Sequence, residues 1–99
     1  MENRVSRTVV VQNRLGMHTR PTMKIVDTAN RFTSIVVFER ENDEFREGGK
    51  YDGKSVMEVI IMAAEAGTTL HIHAEGPDAQ EAVEALAALF ESHFGEEYG

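Results

Sequence analysis

Leu15-Gly16-Met17-His18-Thr19-Arg20-Pro21-Thr22 is the stretch on which the fold turns. Upstream, Thr8-Val9-Val10-Val11-Gln12 is rich in β-branched residues and reads as a strand. Downstream, Ile25, Val26, Ala29 and Phe32 recur at helical spacing, so an amphipathic helix is expected from Thr19 to Phe32. Pro21 suits the first turn of such a helix, where a missing N–H costs nothing. His18 therefore falls where a strand gives way to a helix. Helix N-termini carry unpaired amides and the positive end of the macrodipole. The Thr19 and Arg20 amides are thus free to meet an anion. An imidazole at this point is well placed to become, and remain, a phosphohistidine.

Working outward, Ser34-Ile35-Val36-Val37-Phe38-Glu39 reads as a second strand. Arg40 to Glu44 is turn-like, and Phe45 to Tyr51 is expected as a third strand interrupted by Gly48-Gly49. Ser55-Val56-Met57-Glu58 has the form of a capping box, so a second helix should start there and run to about Glu65, with Gly67 as its stop. Thr69 to Glu75 alternates, with Leu70, Ile72 and Ala74 on one face and His71, His73 and Glu75 on the other. That pattern belongs to a strand with one wet face. Asp78 is expected as the N-cap of a last helix, with Glu81 three residues on and Val83, Leu86, Phe90 and Phe94 as its buried stripe. The order β-α-β-β-α-β-α describes an α+β domain with helices packed on one face of an antiparallel sheet.

Ninety-nine residues make one domain and one core. A hydrophobic fraction of 41% and seven aromatic residues argue against disorder. The absence of cysteine leaves neither disulfides nor thiol chemistry and fits a reducing cytoplasm. Met1 to Arg4 leads directly into a strand-like pattern without the apolar segment of a signal peptide or membrane span, so a cytoplasmic protein without membrane insertion is expected. A net charge of -7 disfavours nucleic-acid binding. Against that acidic average, Arg14, Arg20 and Lys24 gather around His18 in sequence, which suits an anionic substituent.

Gly16-Met17-His18-Thr19-Arg20-Pro21 resembles the active-site signature of HPr, the histidine phosphocarrier family of the bacterial phosphotransferase system. Lys54-Ser55-Val56-Met57 resembles the segment around that family's regulatory serine, Gly67 stands where the family has a glycine before its last strand, and Ala74-Glu75-Gly76-Pro77-Asp78-Ala79 is similar to the start of its last helix. The resemblance covers nearly the whole chain in the right order. Within the family, Asn13-Arg14-Leu15-Gly16-Met17-His18 and Leu89-Phe90-Glu91-Ser92-His93-Phe94 are most similar to NPr, the nitrogen-related branch. The chain departs from the pattern in a longer segment between Phe38 and Ser55. It departs again at Met62-Ala63, where many sugar-branch members have Leu-Gly.

The resemblance implies a fold: an open-faced β-sandwich, a four-stranded antiparallel sheet with three helices on one face, formed by residues 1–99 as a single domain. It also implies a function. His18 would accept a phosphoryl group on Nδ1 from an enzyme I-type donor and pass it to an enzyme IIA-type acceptor. Neutral imidazole is a good nucleophile near physiological pH. The Thr19 and Arg20 amides would position the phosphoryl group, and the Arg20 guanidinium would offset its charge. Because the partner proteins supply most of the catalysis, the chain is a transferase component rather than a stand-alone enzyme. No cofactor or metal is implied, and the chain is expected to act as a monomer.

Ser55 is a capping residue on its own sequence grounds, and in the family reading a site of regulatory phosphorylation by an HPr kinase. Met23, Val56, Met57 and Ile60 correspond to the family's docking surface; methionine is common where several partners must be met. Met23 is the best docking candidate because it falls off the Ile25, Val26, Ala29 stripe, while the plain reading is that some of the four are simply core. His71 and His73 share a strand face and could grip a metal, but two ligands without a third are weak, and solvated histidines on the open face are the simpler reading. His93 carries no role beyond surface or partial packing. The alternative function is a regulatory protein whose phosphorylation state at His18 or Ser55 controls which partner it binds.

Overall fold

The computed structural model describes residues 3–62 and 64–96. In chain order these form β1 (Asn3–Val10), α1 (Thr19–Ala29), β2 (Ile35–Arg40), β3 (Lys50–Asp52), α2 (Val56–Met62), β4 (Thr69–Gly76) and α3 (Ala79–Glu91), with short 3₁₀ turns at Glu47–Gly49 and His93–Gly95. The strands make one antiparallel sheet in the order β1-β4-β2-β3. Met1, Glu2 and Ala63, the last being half of the Met62-Ala63 pair, lie outside the described residues.

The alternation of β4 decides which face is which. Leu70, Ile72 and Ala74 are buried beneath the helices, together with Val36 and Phe38 of β2. Ile25, Val26 and Ala29 of α1, Val59 and Met62 of α2, and Ala82, Val83, Leu86 and Phe90 of α3 close over them. Phe90 joins the layers, with its ring centroid 6.2 Å from Phe38 and 4.8 Å from Phe94 in edge contact. The fold is the expected α+β open-faced sandwich, with three helices over a four-stranded sheet.

Several boundaries differ from the sequence reading. β1 begins at Asn3 rather than Thr8, because pairing with β4 runs from Asn3↔Gly76 to Val10↔Thr69 and extends the strand upstream of its β-branched run. Phe32 lies beyond α1, which ends at Ala29 with Asn30 as its C-cap. β3 is only Lys50–Asp52, so of the stretch expected from Phe45 to Tyr51 it keeps Lys50 and Tyr51. Asp43 instead accepts the N–H groups of Phe45 and Arg46 and the Tyr51 hydroxyl, which rolls residues 43–49 into a compact loop. That loop fills much of the segment between Phe38 and Ser55.

α2 is shorter than expected, ending at Met62 instead of near Glu65. The Ala64 carbonyl is used by the Met17 amide at 2.8 Å. Asp78 occupies the N-cap position of α3, but its side chain does not cap it. Its carboxylate accepts the amides of Thr33 and Ser34, both at 2.9 Å, and the Ser34 hydroxyl, stapling the α1–β2 turn to the start of α3. Phe94 is buried as the stripe predicted, yet it sits beyond α3 in the final turn.

Candidate functional site

The loop from β1 to α1 is pinned before it reaches His18. Val11 is fully buried, with its amide bonded to the Thr68 carbonyl at 2.9 Å and its carbonyl to the Gly67 amide at 2.7 Å. Asn13 follows, also fully buried, and its side-chain amide donates to the Gly16 carbonyl at 2.6 Å. Gly16 has φ +67°, and a Cβ there would lie 2.9 Å from the Ala64 carbonyl oxygen and 3.0 Å from the Glu65 Cα. Glycine is required by both the conformation and the space. Gly16 and Met17 therefore lock against the end of α2, and His18 emerges at a fixed point.

His18 is the N-cap residue of α1 by backbone geometry, with φ -92° and ψ -168°, and its carbonyl accepts the Thr22 amide at 3.1 Å. Its side chain makes no capping bond. Thr19 and Arg20 occupy the first turn, where amides have no intrahelical partner, and Pro21 is buried beneath them. The Arg20 side chain is exposed and makes no hydrogen bond or ion pair with any described residue. An anion at the head of α1 would meet two amides, the helix dipole and a guanidinium.

The His18 ring turns instead toward the end of the chain. Its Nε2 lies 2.7 Å from Glu96 Oε2, and the other oxygen of that carboxylate accepts the Asn13 side-chain amide at 3.1 Å. The His18 side chain is 36% exposed and that of Glu96 15%. Burial pushes the Glu96 carboxyl upward, but the hydrogen bonds from His18 and Asn13, with the charges of His18 and Arg20, outweigh it and hold the group below its usual range. Lys24, expected to add charge around His18, donates its ammonium to the Phe94 carbonyl at 2.5 Å. It secures the final turn rather than standing open for an anion. Neither Glu96 nor this use of Lys24 was signalled by sequence pattern; the nearest hint was the apolar stripe of α3 running past its end to Phe94.

Comparison with known proteins gives this geometry a context. The family model described as "PTS HPr component phosphorylation site" matches residues 5–92. The chain belongs to the HPr family. It is 41% identical to phosphocarrier protein NPr of Proteus mirabilis over 91 residues, covering 92% of this chain and 96% of that one. It is 38% identical to phosphocarrier protein HPr of Cupriavidus necator over 92 residues, covering 93% and 97%. Among solved structures, HPr from Thermoanaerobacter tengcongensis superposes with a TM-score of 0.84 at 35% identity, covering 94% of this chain and 98% of that one. The HPr family supports a phosphocarrier role in the phosphotransferase system, with phosphotransferase components as partners.

The other HPr-like positions divide by exposure. Met23, Met57 and Ile60 are exposed, at 40%, 66% and 51%, whereas Val56 is half-buried and packs on the core. Leu15 and Ile61, which the sequence reading passed over, are exposed apolar side chains as well. Ser55 accepts the Glu58 amide at 3.2 Å, so the capping box expected of it is present on the serine side. The acid of that box, Glu58, goes to Arg46 in the hairpin loop at 2.6 Å. The Arg46 guanidinium also lies 4.3 Å from the centre of the Tyr51 ring.

His71 and His73 stand on the open face, half-buried rather than freely solvated. Each ring is held between a hydroxyl of β1 and a carboxylate. His71 bonds Thr8 at 2.9 Å and Glu41 at 3.0 Å, and His73 bonds Ser6 at 2.7 Å and Glu39 at 2.9 Å. The hydrogen bond with His73 holds the Glu39 carboxyl below its usual range. Among the described residues no group of three or more His, Cys, Asp or Glu could hold a metal. His93 bonds the Gln12 side chain at 2.9 Å, which is the partial packing expected. Among the described residues, no helix is long and apolar enough to cross a membrane.

Proposed function

We propose that His18 is the phosphoryl acceptor of this chain, taking the group from a phosphorylated enzyme I-type donor and releasing it to an enzyme IIA-type acceptor in the cytoplasm. The observation that carries this reading is the placement of a half-exposed imidazole at the head of α1. It lies beside the unpaired amides of Thr19 and Arg20 and the exposed Arg20 guanidinium. These groups stabilise a phosphoryl dianion by dipole and charge without enclosing it, which suits a group that must be handed on. Met23, Met57 and Ile60 supply exposed apolar surface for partners to cover, with Val56 behind them. The chain works as a monomer in these encounters, and Ser55 is the position where a kinase would tune them.

Incubation with phosphoenolpyruvate and a cognate enzyme I tests the reading. One acid-labile, base-stable phosphoryl group should be incorporated per chain, and His18→Ala should abolish it. His71→Ala and His73→Ala should label as the unaltered protein does. Labelling that persists in His18→Ala rejects the assignment.

A further inference from the structure

We propose that Glu96 is a positioning residue for His18, fixing the ring proton on Nε2 so that the Nδ1 lone pair faces the incoming phosphoryl group. The proposal rests on the reading of His18 as acceptor and adds the group that selects its reactive nitrogen.

The hydrogen-bond inventory of the two side chains carries the inference. An ionised carboxylate can only accept, so the 2.7 Å contact between Glu96 Oε2 and His18 Nε2 requires that Nε2 hold the proton. In the neutral ring the remaining lone pair is then on Nδ1. The second carboxylate oxygen is bound by Asn13, whose same amide group holds the Gly16 carbonyl. One buried side chain thus ties the carboxylate to the loop that delivers the histidine. That arrangement differs from a surface ion pair, in which both partners wander in solvent.

The backbone leading to Glu96 supports the same conclusion. His93, Phe94 and Gly95 have φ of 54°, 56° and 74°, three consecutive left-handed residues of which two are not glycine. Such conformations are unfavourable for side-chain-bearing residues and persist only where the surroundings impose them. Here the Phe94 side chain is buried against Phe90, its carbonyl is held by Lys24, and the Glu96 amide returns to the His93 carbonyl at 2.9 Å. The strained turn reverses the chain so that Glu96 reaches a residue 78 positions earlier.

The contact has a defined part in transfer. As the Nδ1 lone pair forms the new N–P bond, the donor's bond to phosphorus breaks and its electron pair leaves with the donor side chain. The proton stays on Nε2, so the ring becomes cationic, and the Glu96 carboxylate facing that proton offsets the new charge. On transfer to the acceptor the N–P electron pair returns to Nδ1, and the neutral ring is restored without moving a proton.

Nitrogen-15 NMR of the His18 ring, followed over a pH series to its neutral form, reads the tautomer directly and needs no phosphorylation. The Nε2–H form should be nearly the sole tautomer in the unaltered protein, and its share should fall toward the mixture of a free imidazole in Glu96→Gln and Glu96→Ala, with melting temperatures close to that of the unaltered chain. Phosphoryl uptake from phosphorylated enzyme I should slow about tenfold in both, the loss of one charge-assisted hydrogen bond to the transition state. A tautomer ratio unchanged by both substitutions overturns the proposal whatever the rate does, and so does an unchanged rate. Labelling of His18→Ala would instead reject the acceptor reading, so the two failures are distinguishable.

Discussion

The Arg46 guanidinium stands 2.6 Å from the carboxylate of Glu58, the residue whose amide is capped by Ser55. The hairpin loop therefore reaches across to the first turn of α2 and offsets the one acidic charge there. With its own partner, Glu58 is less repulsive toward a negative group at Ser55 than an unpaired carboxylate would be.

Ser55→Ala should lower stability by about 0.5–2 kcal/mol through loss of the cap, seen as a lower midpoint in denaturant. Ser55→Asp should keep the cap and the midpoint but slow transfer with partners, because it adds charge beside Met57 and Val56. Adding Arg46→Met to Ser55→Asp should reduce stability more than either change alone, since Glu58 then faces a second carboxylate unpaired. If Ser55→Asp transfers as fast as the unaltered protein, Ser55 is a cap and nothing more.

Arg20→Ala should reduce the rate of phosphoryl transfer by about tenfold, the equivalent of roughly 1.4 kcal/mol at the transition state, and leave the melting temperature unchanged. Arg20→Lys should recover only part of the loss, because an ammonium cannot reproduce the two-pronged contact of a guanidinium with phosphate oxygens. Rapid-quench transfer assays separate the three proteins.

Acid stability should track Asp78. The hydrogen bond from Ser34, with those from the Thr33 and Ser34 amides, lowers its pKa from 3.8 to about 2. A carboxyl lowered on folding stabilises the native state fully above its unfolded value, and that contribution is lost as the pH falls through the folded value. Between about pH 4 and pH 2 the unaltered protein should therefore lose stability more steeply than Asp78→Asn. Parallel melting curves for the two over that window would contradict the staple described for Asp78.

Gly16→Ala should destabilise the fold by roughly 1–3 kcal/mol for its left-handed backbone alone, with the added methyl pressing on the Ala64 carbonyl. Because Met17 and His18 follow directly, the His18 ring resonances should shift along with the melting temperature. A change in stability with unmoved His18 signals would mean that the loop adjusts before reaching the site.

Where a segment's pattern and its surroundings agree, sequence sufficed. The alternation of Thr69 to Glu75 and the stripe of Ile25, Val26 and Ala29 both bury the residues they predict. The glycine, histidine, arginine and proline around position 18 marked the head of α1 for the same reason, since local chemistry sets a helix start. What escaped was set by distant partners. Asp78 has the sequence of a cap, but Ser34 and Thr33 compete for its carboxylate. The start of β1 is fixed by where its pairing with β4 begins, at Asn3 opposite Gly76. Glu96 gains its meaning from Asn13 and His18, far away along the chain, through a turn whose left-handed residues include a phenylalanine that no turn preference would select.

The strand order has a consequence for how the chain is made. β4 is bonded to both β1 and β2, so residues 69–76 form the inner seam between strands that appear first and second. As the chain leaves the ribosome from its N-terminus, β1 has no neighbour to pair with until some sixty further residues have emerged. Closing such a span defers the reward for ordering the early strands and slows folding relative to local pairings. The nascent chain thus waits with an unpaired N-terminal strand until β4 is out, and a pause in translation before residue 69 would prolong the interval in which that edge is open to other chains.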